Sequence, residues 1–215
     1  MSQEKRYKSG LSLVAQILSD LFCPLLVPTY GIALALWGTS LRALPERSRW
    51  LATLVIAIIT GLVPLVVIAV LRQTGRVSDN SMSNREQRPL PMAITMLCYV
   101  AAGLFLGSAR APLWLRVFFY GAALATAIDT VITFRWKISA HTTAMGGLTG
   151  LILWLAVAGM ADVSAMAILS IGIVLAGTIA TSRLILGRHT LAQVMAGLLL
   201  GFACTFGLTY LSYFS

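Results

Sequence analysis

Residues 50–71 read WLATLVIAIITGLVPLVVIAVL, 22 residues without a single charged side chain. A helix crosses the hydrocarbon core of a bilayer with roughly 20 consecutive apolar residues. This stretch therefore predicts a transmembrane helix, and it sets the class of fold for the rest of the chain.

Apolar runs of similar length recur on both sides of this stretch. The further spans predicted are 22–38, 91–108, 113–133, 142–160, 163–182 and 190–213. Only 11% of the 215 residues are charged and 58% are hydrophobic, whereas a soluble domain carries about 25% charged residues. We therefore predict an all-α fold, a polytopic helical bundle in the membrane with six or seven spans.

The N-terminal region differs from the rest. Residues 1–21 begin with a basic tail and continue as SGLSLVAQILSDL (9–21), which is amphipathic and too short to span a bilayer. Such a segment is typical of a helix that lies in the membrane interface. Residues 22–215 are predicted to form a single membrane-embedded domain.

The net charge of +9 raises the question of a nucleic-acid partner. The basic residues are scattered between the apolar runs, whereas a nucleic-acid-binding domain gathers them in one patch. Anionic lipid headgroups or a phosphorylated lipid substrate account for them better. The three cysteines show no CxxC spacing, so neither a zinc site nor a disulfide framework is indicated.

Three polar segments, 72–90, 134–141 and 183–189, are separated from one another by even numbers of predicted crossings. They are therefore expected to emerge on the same membrane face. The positive-inside rule does not identify that face. Once the basic residues of the candidate site are set aside, both faces carry equal numbers of Lys and Arg.

The chain contains two histidines, His141 and His189, and both lie in these segments. Neither has helical metal-ligand spacing and acidic residues are scarce, so no metal and no cofactor are implied. Arginines hold tetrahedral oxyanions, a neutral imidazole can attack phosphorus, and a protonated one can supply a proton to the leaving oxygen. Ser139 and Thr142 add hydroxyls beside a helix N-terminus, which attracts phosphate. This combination favours metal-independent phosphoester or pyrophosphate hydrolysis.

Three stretches, NREQRPLP (84–91), KISAHTTAMGG (137–147) and SRLILGRHTLAQVMAG (182–197), resemble in order the signatures of the type 2 phosphatidic acid phosphatase family. The family pattern is Lys-x6-Arg-Pro, then Pro-Ser-Gly-His, then Ser-Arg-x5-His-x3-Asp. The resemblance covers residues 72–201 and implies a six-helix phosphatase-like core that hydrolyses lipid phosphates.

The resemblance also assigns roles. It implies that His189 is the nucleophile that forms a phosphohistidine and that His141 protonates the departing alcohol. The residues that match phosphate-binding positions are Arg88, Arg183 and Ser139. The family's lysine falls on Ser81, so Lys137 or Arg85 is predicted to supply the missing cation. Ile138 and Ala140 replace the proline and glycine of the second signature.

Gln193 stands where the family has its final aspartate. It follows His189 by four residues and shares its face of a helix, and its carbonyl oxygen can accept the second N–H of the imidazole. We therefore expect Gln193 to orient His189. Asp129, within a predicted span, is the alternative carboxylate for that role.

The sequence thus predicts a lipid phosphatase or diphosphatase of the cell membrane, with the resemblance favouring a site on the extracytoplasmic face. Candidate substrates are a polyprenyl diphosphate, phosphatidic acid, phosphatidylglycerol phosphate or a lipid A phosphate. One alternative is a non-catalytic lipid-phosphate-binding or scaffold protein of the same fold. Another is a transporter component, although its polar residues should then lie at mid-membrane depth. The oligomeric state stays open.

Overall fold

The computed structural model describes residues 3–77, 85–161 and 164–214, without the side chains of 3–9 and 85. Within these ranges the chain is helical and contains no β-strand beyond one isolated bridge, between Thr39 and Ala161. The α-helices are α1 (Gln3–Leu21), α2 (Val27–Gly38), α3 (Glu46–Gln73), α4 (Pro89–Ser108), α5 (Leu113–Thr133), α6 (Ala140–Val157), α7 (Ala165–Ile185) and α8 (Leu191–Leu211). The predicted all-α bundle is confirmed.

Six of the helices, α3 to α8, are long and apolar enough to cross a membrane. The part of the chain that the structure describes thus contains six candidate spans, as expected for a multi-pass membrane protein. The span predicted over 22–38 is shorter than expected, because its helix is the 12-residue α2. At 1.5 Å per residue α2 covers about 18 Å, less than a hydrocarbon core of about 30 Å.

Helix α1 is longer than the interfacial segment predicted over 9–21, and it packs on the bundle. Ala15 and Ser19 are buried, and this side of α1 packs against α7. Leu13 and Ile17, on the opposite side, are more than half exposed. One face of α1 is therefore buried against the bundle, and the opposite face is exposed.

Helices α6 and α8 approach each other closely through glycines. A Cβ atom at Gly146 would clash with the Leu198 carbonyl, and one at Gly201 would clash with the Thr143 carbonyl. Small residues permit such backbone contact between membrane helices. The Thr205 hydroxyl also donates a hydrogen bond of 2.9 Å to the Gly147 carbonyl. The register between α6 and α8 is therefore fixed, and both helices begin at the same end of the bundle.

The opposite end of the bundle holds the main aromatic core. Trp154 and Trp114 pack with ring centroids 5.1 Å apart, and Phe118 and Phe119 lie one turn further along α5. The polar groups lie at the other end of the bundle, where α4, α6 and α8 begin.

Candidate active site

The three polar segments meet at one end of the bundle, where α4, α6 and α8 begin and α7 ends. They border a cavity of about 310 Å³ whose lining includes Arg88, His141, Arg183 and Arg188. Most of the remaining lining is apolar and reaches down to Tyr99 and Phe118. The cavity therefore has a cationic mouth and a hydrophobic interior.

Arg88 and Arg183 are buried, with 6% and 7% of their surfaces exposed. Arg88 precedes the first residue of α4, and its Nη1 donates a hydrogen bond of 3.1 Å to the Ile138 carbonyl. In both side chains the Nε atom is buried and has no hydrogen-bond partner among the described residues. Buried donors normally have partners, so these two N–H groups are suited to an anionic ligand.

Burial lowers the pKa of the Arg88 guanidinium, and the Asp129 carboxylate opposes that shift. Asp129 is buried and accepts a hydrogen bond of 3.2 Å from the Thr133 hydroxyl. Asp129 thus acts on Arg88, a cation of the site, whereas the side chain in contact with His189 belongs to another residue.

That residue is Gln193. Its Oε1 lies 3.3 Å from Nδ1 of His189 and also accepts the Thr190 backbone N–H at 3.1 Å. The Thr190 side chain in turn accepts the Gln193 N–H, which completes a capping box at the start of α8. Because an amide oxygen only accepts, His189 donates through Nδ1–H, and the lone pair of Nε2 is left free.

His189 is neutral in this environment. Burial, together with the charges of Lys137, Arg88 and Arg183, lowers its pKa to about 3, and the bond to Gln193 opposes the shift. A nucleophilic imidazole must be unprotonated, so this electrostatic environment meets the first requirement of the predicted role.

His141 lies in the first turn of α6 and lines the cavity. Its Nε2 is 3.1 Å from the backbone carbonyl of Ser19, in the last turn of α1. Each histidine therefore has one ring nitrogen on an oxygen acceptor, supplied by Gln193 for His189 and by α1 for His141.

Ser139 has a visible structural role. It is the N-cap of α6, where its hydroxyl accepts the Thr142 N–H at 3.5 Å and its carbonyl accepts the hydroxyls of Thr142 and Thr143. It is fully buried, and the cavity lining runs through the next two residues, Ala140 and His141. Its predicted contact with phosphate stays a prediction.

Lys137 and Arg85 are the two residues predicted to replace the missing cation. Lys137 is half-buried and close enough to His189 to lower the pKa of that imidazole. Arg85 begins a short 3-10 turn, Arg85–Gln87, but its side chain lies outside the described residues, as does Ser81. Lys137 is thus within electrostatic range of the predicted nucleophile.

Sequence reasoning missed the contribution of α1 and the turn after it. Gln16, Asp20, Cys23 and Pro24 line the cavity, and the Gln16 amide donates a hydrogen bond of 2.7 Å to Asp20. The amphipathic pattern of 9–21 indicated only a surface helix. A carboxylate at position 20, next to an apolar run, was the available signal that this end of α1 faces a polar site.

Among the residues that the structure describes, no group of three His, Cys, Asp or Glu side chains is arranged to hold a metal ion. The donor set that does converge consists of guanidinium and imidazole groups. Such groups bind and transform oxyanions directly.

Buried arginines and two histidines with oriented rings thus lie at one end of a bundle of helices long enough to span a membrane. Residues 133–215 match the family model described as the PAP2 superfamily, which confirms the resemblance predicted from the sequence. The matched segment includes both histidines, Arg183 and Lys137, whereas Arg88 and α1 precede it. Neither the curated proteins nor the solved structures yield a significant match. The family match supports phosphoester hydrolysis in general.

Proposed function

We propose that the protein is a lipid phosphatase or diphosphatase that acts through a phosphohistidine at His189. The observation that carries the proposal is the amphipathic cavity, in which His141 and the buried cations Arg88 and Arg183 at the mouth adjoin an apolar interior. A phosphate joined to a hydrocarbon chain has the same division of polarity. A soluble phosphate ester would leave the apolar interior unused.

Arg88 and Arg183 are proposed to hold the phosphate. Their Nε atoms are buried without a hydrogen-bond partner among the described residues. Hydrogen bonds from guanidinium to phosphate are roughly twice as strong as neutral ones. Lys137 adds a third positive charge beside His189. The cations offset the negative charge that accumulates on the phosphoryl oxygens during transfer.

In the first step, Nε2 of His189 forms a bond to phosphorus as the bond from phosphorus to the lipid oxygen breaks. The leaving oxygen takes a proton from the His141 imidazolium, and the lipid departs as an alcohol or, from a diphosphate, as a monophosphate. In the second step, water attacks phosphorus and gives a proton back to His141. The N–P bond then breaks and inorganic phosphate is released with both histidines restored.

Gln193 is proposed to support the nucleophile by holding Nδ1–H. The lone pair of Nε2 is thereby directed away from the capping box at the start of α8. Fixing the tautomer in this way is the function of the orienting carboxylate in serine proteases. An amide oxygen supplies the same geometry without the negative charge.

The proposed substrates are lipid phosphates of the polyprenyl diphosphate, phosphatidic acid, phosphatidylglycerol phosphate and lipid A classes. The reacting end would occupy the cavity while the rest of the chain stays in the bilayer. By family resemblance, the site faces the extracytoplasmic side of the cell membrane. No metal or cofactor is required by these steps.

The experiment measures phosphate release by purified protein in detergent with excess EDTA, using one substrate from each of the four classes. We expect release from at least one class, and loss of that release in His189→Ala. A protein that binds these lipids with micromolar affinity but releases no phosphate would instead be the non-catalytic binding protein of the same fold.

A further inference from the structure

The last turn of α1 contacts His141, one of the two histidines of the proposed mechanism. The Ser19 carbonyl lies 3.1 Å from Nε2 of His141. A carbonyl oxygen only accepts hydrogen bonds, so Nε2 carries the proton in this arrangement and Nδ1 is the nitrogen that remains for another partner. The bond thus selects one tautomer and one ring orientation of His141.

Several contacts hold α1 in the position that this bond needs. Ala15 and Ser19 are 2% and 0% exposed, so the face that carries them has no room for larger side chains. Leu18 and Phe22 pack against a hydrophobic cluster that includes Ile179 of α7.

The end of α1 is held on its polar side as well. The Tyr30 hydroxyl donates a hydrogen bond of 2.8 Å to the Leu21 carbonyl. The carboxylate of Asp20 lies close enough to Arg183 to stabilise its positive charge. The last turn of α1 is therefore fixed against both the bundle and the cationic mouth of the cavity.

We propose that α1 is a positioning element for His141, whose ring it orients and whose imidazolium it stabilises through the Ser19 carbonyl. This inference rests on the proposed function, in which His141 protonates the leaving oxygen. Nδ1–H would then be the donated proton while Nε2–H stays on the carbonyl. Since α1 precedes the segment 133–215 that matches the family model, this device is a feature of this chain that the match does not include.

Displacing α1 should slow the transfer of phosphate to His189 when the leaving oxygen needs a proton from His141. The ratio kcat/KM reports this first step separately from the later hydrolysis of the phosphohistidine. Ala15→Phe places a large side chain between α1 and α7, one helical turn before Ser19. Leu13→Phe is the matched control, because the same side chain is added on the exposed face of the same helix. Both variants are assayed with p-nitrophenyl phosphate, whose leaving group needs no proton, and with an alkyl phosphate, whose leaving group does.

For Ala15→Phe we expect kcat/KM on the alkyl phosphate to fall about 10- to 100-fold, the range for a lost hydrogen bond to a charged group. The kcat/KM on p-nitrophenyl phosphate should fall less than about threefold. Leu13→Phe should behave as wild type. Equal loss on both substrates, or none on either, would contradict the positioning role.

A double-mutant cycle tests whether the effect passes through His141. If it does, Ala15→Phe should add no further loss on the alkyl phosphate when it is introduced into His141→Ala. Fully additive losses would show that α1 acts elsewhere. The proposed function is tested separately, because it fails if His189→Ala retains full activity or if no lipid phosphate is hydrolysed.

A spectroscopic measurement on a chain with unchanged α1 keeps the inference testable even if Ala15→Phe does not fold. In His189→Ala, His141 is the sole histidine, and its ring ¹⁵N shifts report the tautomer. We expect the Nε2–H form in that background and a mixture of tautomers once Ala15→Phe is added. A mixture before the addition, or an unchanged Nε2–H form after it, would overturn the inference.

Discussion

Gln193→Leu is the substitution that best isolates the orientation of His189. It removes the oxygen that lies 3.3 Å from Nδ1 and 3.1 Å from the Thr190 N–H, while keeping a side chain of similar size. The ring loses the acceptor that holds Nδ1–H, and both tautomers and more than one ring orientation become accessible.

The magnitude follows from the two hydrogen bonds that are lost. The bond from Nδ1–H, whose imidazole becomes cationic as the phosphohistidine forms, is worth about 1.5–3 kcal/mol, or about 10- to 100-fold in kcat. The upper limit is the roughly 10⁴-fold loss seen when the orienting carboxylate of a serine protease is changed to an amide. The bond to the Thr190 N–H belongs to the helix cap and affects stability instead, by about 1 kcal/mol.

Two further variants separate these effects. Thr190→Ala removes the other half of the capping box without touching the histidine ring, so it should lower the unfolding temperature but leave kcat within about threefold of wild type. Gln193→Glu keeps the acceptor and adds a negative charge, so it should retain or raise kcat.

The assay is steady-state phosphate release, with thermal unfolding measured on the same samples. If Gln193→Leu turns over as fast as Thr190→Ala, the amide does not orient His189 and its role is limited to the helix cap. Asp129→Asn provides the cross-check, because Asp129 bonds Thr133 and acts on Arg88. A loss larger than that of Gln193→Leu would move the orienting role to Asp129.

Three other predictions follow from the site. In His141→Ala, ring NMR of the remaining His189 should show a neutral imidazole from pH 7.5 down to pH 5, because the pKa of His189 is lowered to about 3. A titration near the ordinary value of 6.5 would contradict the conclusion that burial lowers this pKa. Lys137→Ala should reduce kcat/KM about 10- to 100-fold. A wild-type kcat/KM in Lys137→Ala, together with a large loss in Arg85→Ala, would show that Arg85 supplies the missing cation. Ala122→Phe, which fills the apolar part of the cavity, should abolish turnover of long-chain substrates but spare p-nitrophenyl phosphate; equal effects on both would show that the interior does not hold lipid.

The sequence predicted the spans well because the length of an apolar run is itself the physical requirement for crossing a bilayer. It predicted the meeting of the polar segments because the parity of crossings decides on which face a loop emerges. The i, i+4 spacing likewise indicated that Gln193 would face His189, and the structure places the two side chains in contact. In each case the property depends on local pattern or on counting.

The features that the sequence did not reveal depend on tertiary packing. The amphipathic pattern of 9–21 is the same whether the apolar face meets lipid or meets α7, so the bond from His141 to the Ser19 carbonyl was not foreseeable. A serine before a helix can cap the helix or bind an anion. Only the structure shows that Ser139 caps α6. The turn that contains Pro24 shortens α2, and hydropathy averaged over 22–38 conceals this.

The most direct test of the central claim is to trap the covalent intermediate. Purified protein is mixed in EDTA with a lipid phosphate that it turns over, quenched within one turnover, digested under alkaline conditions and analysed by mass spectrometry. We expect one acid-labile, base-stable phosphoryl group on His189. In His189→Ala we expect neither a phosphorylated protein nor turnover. Undiminished phosphate release by His189→Ala, or a phosphoryl group found on another residue, would contradict it.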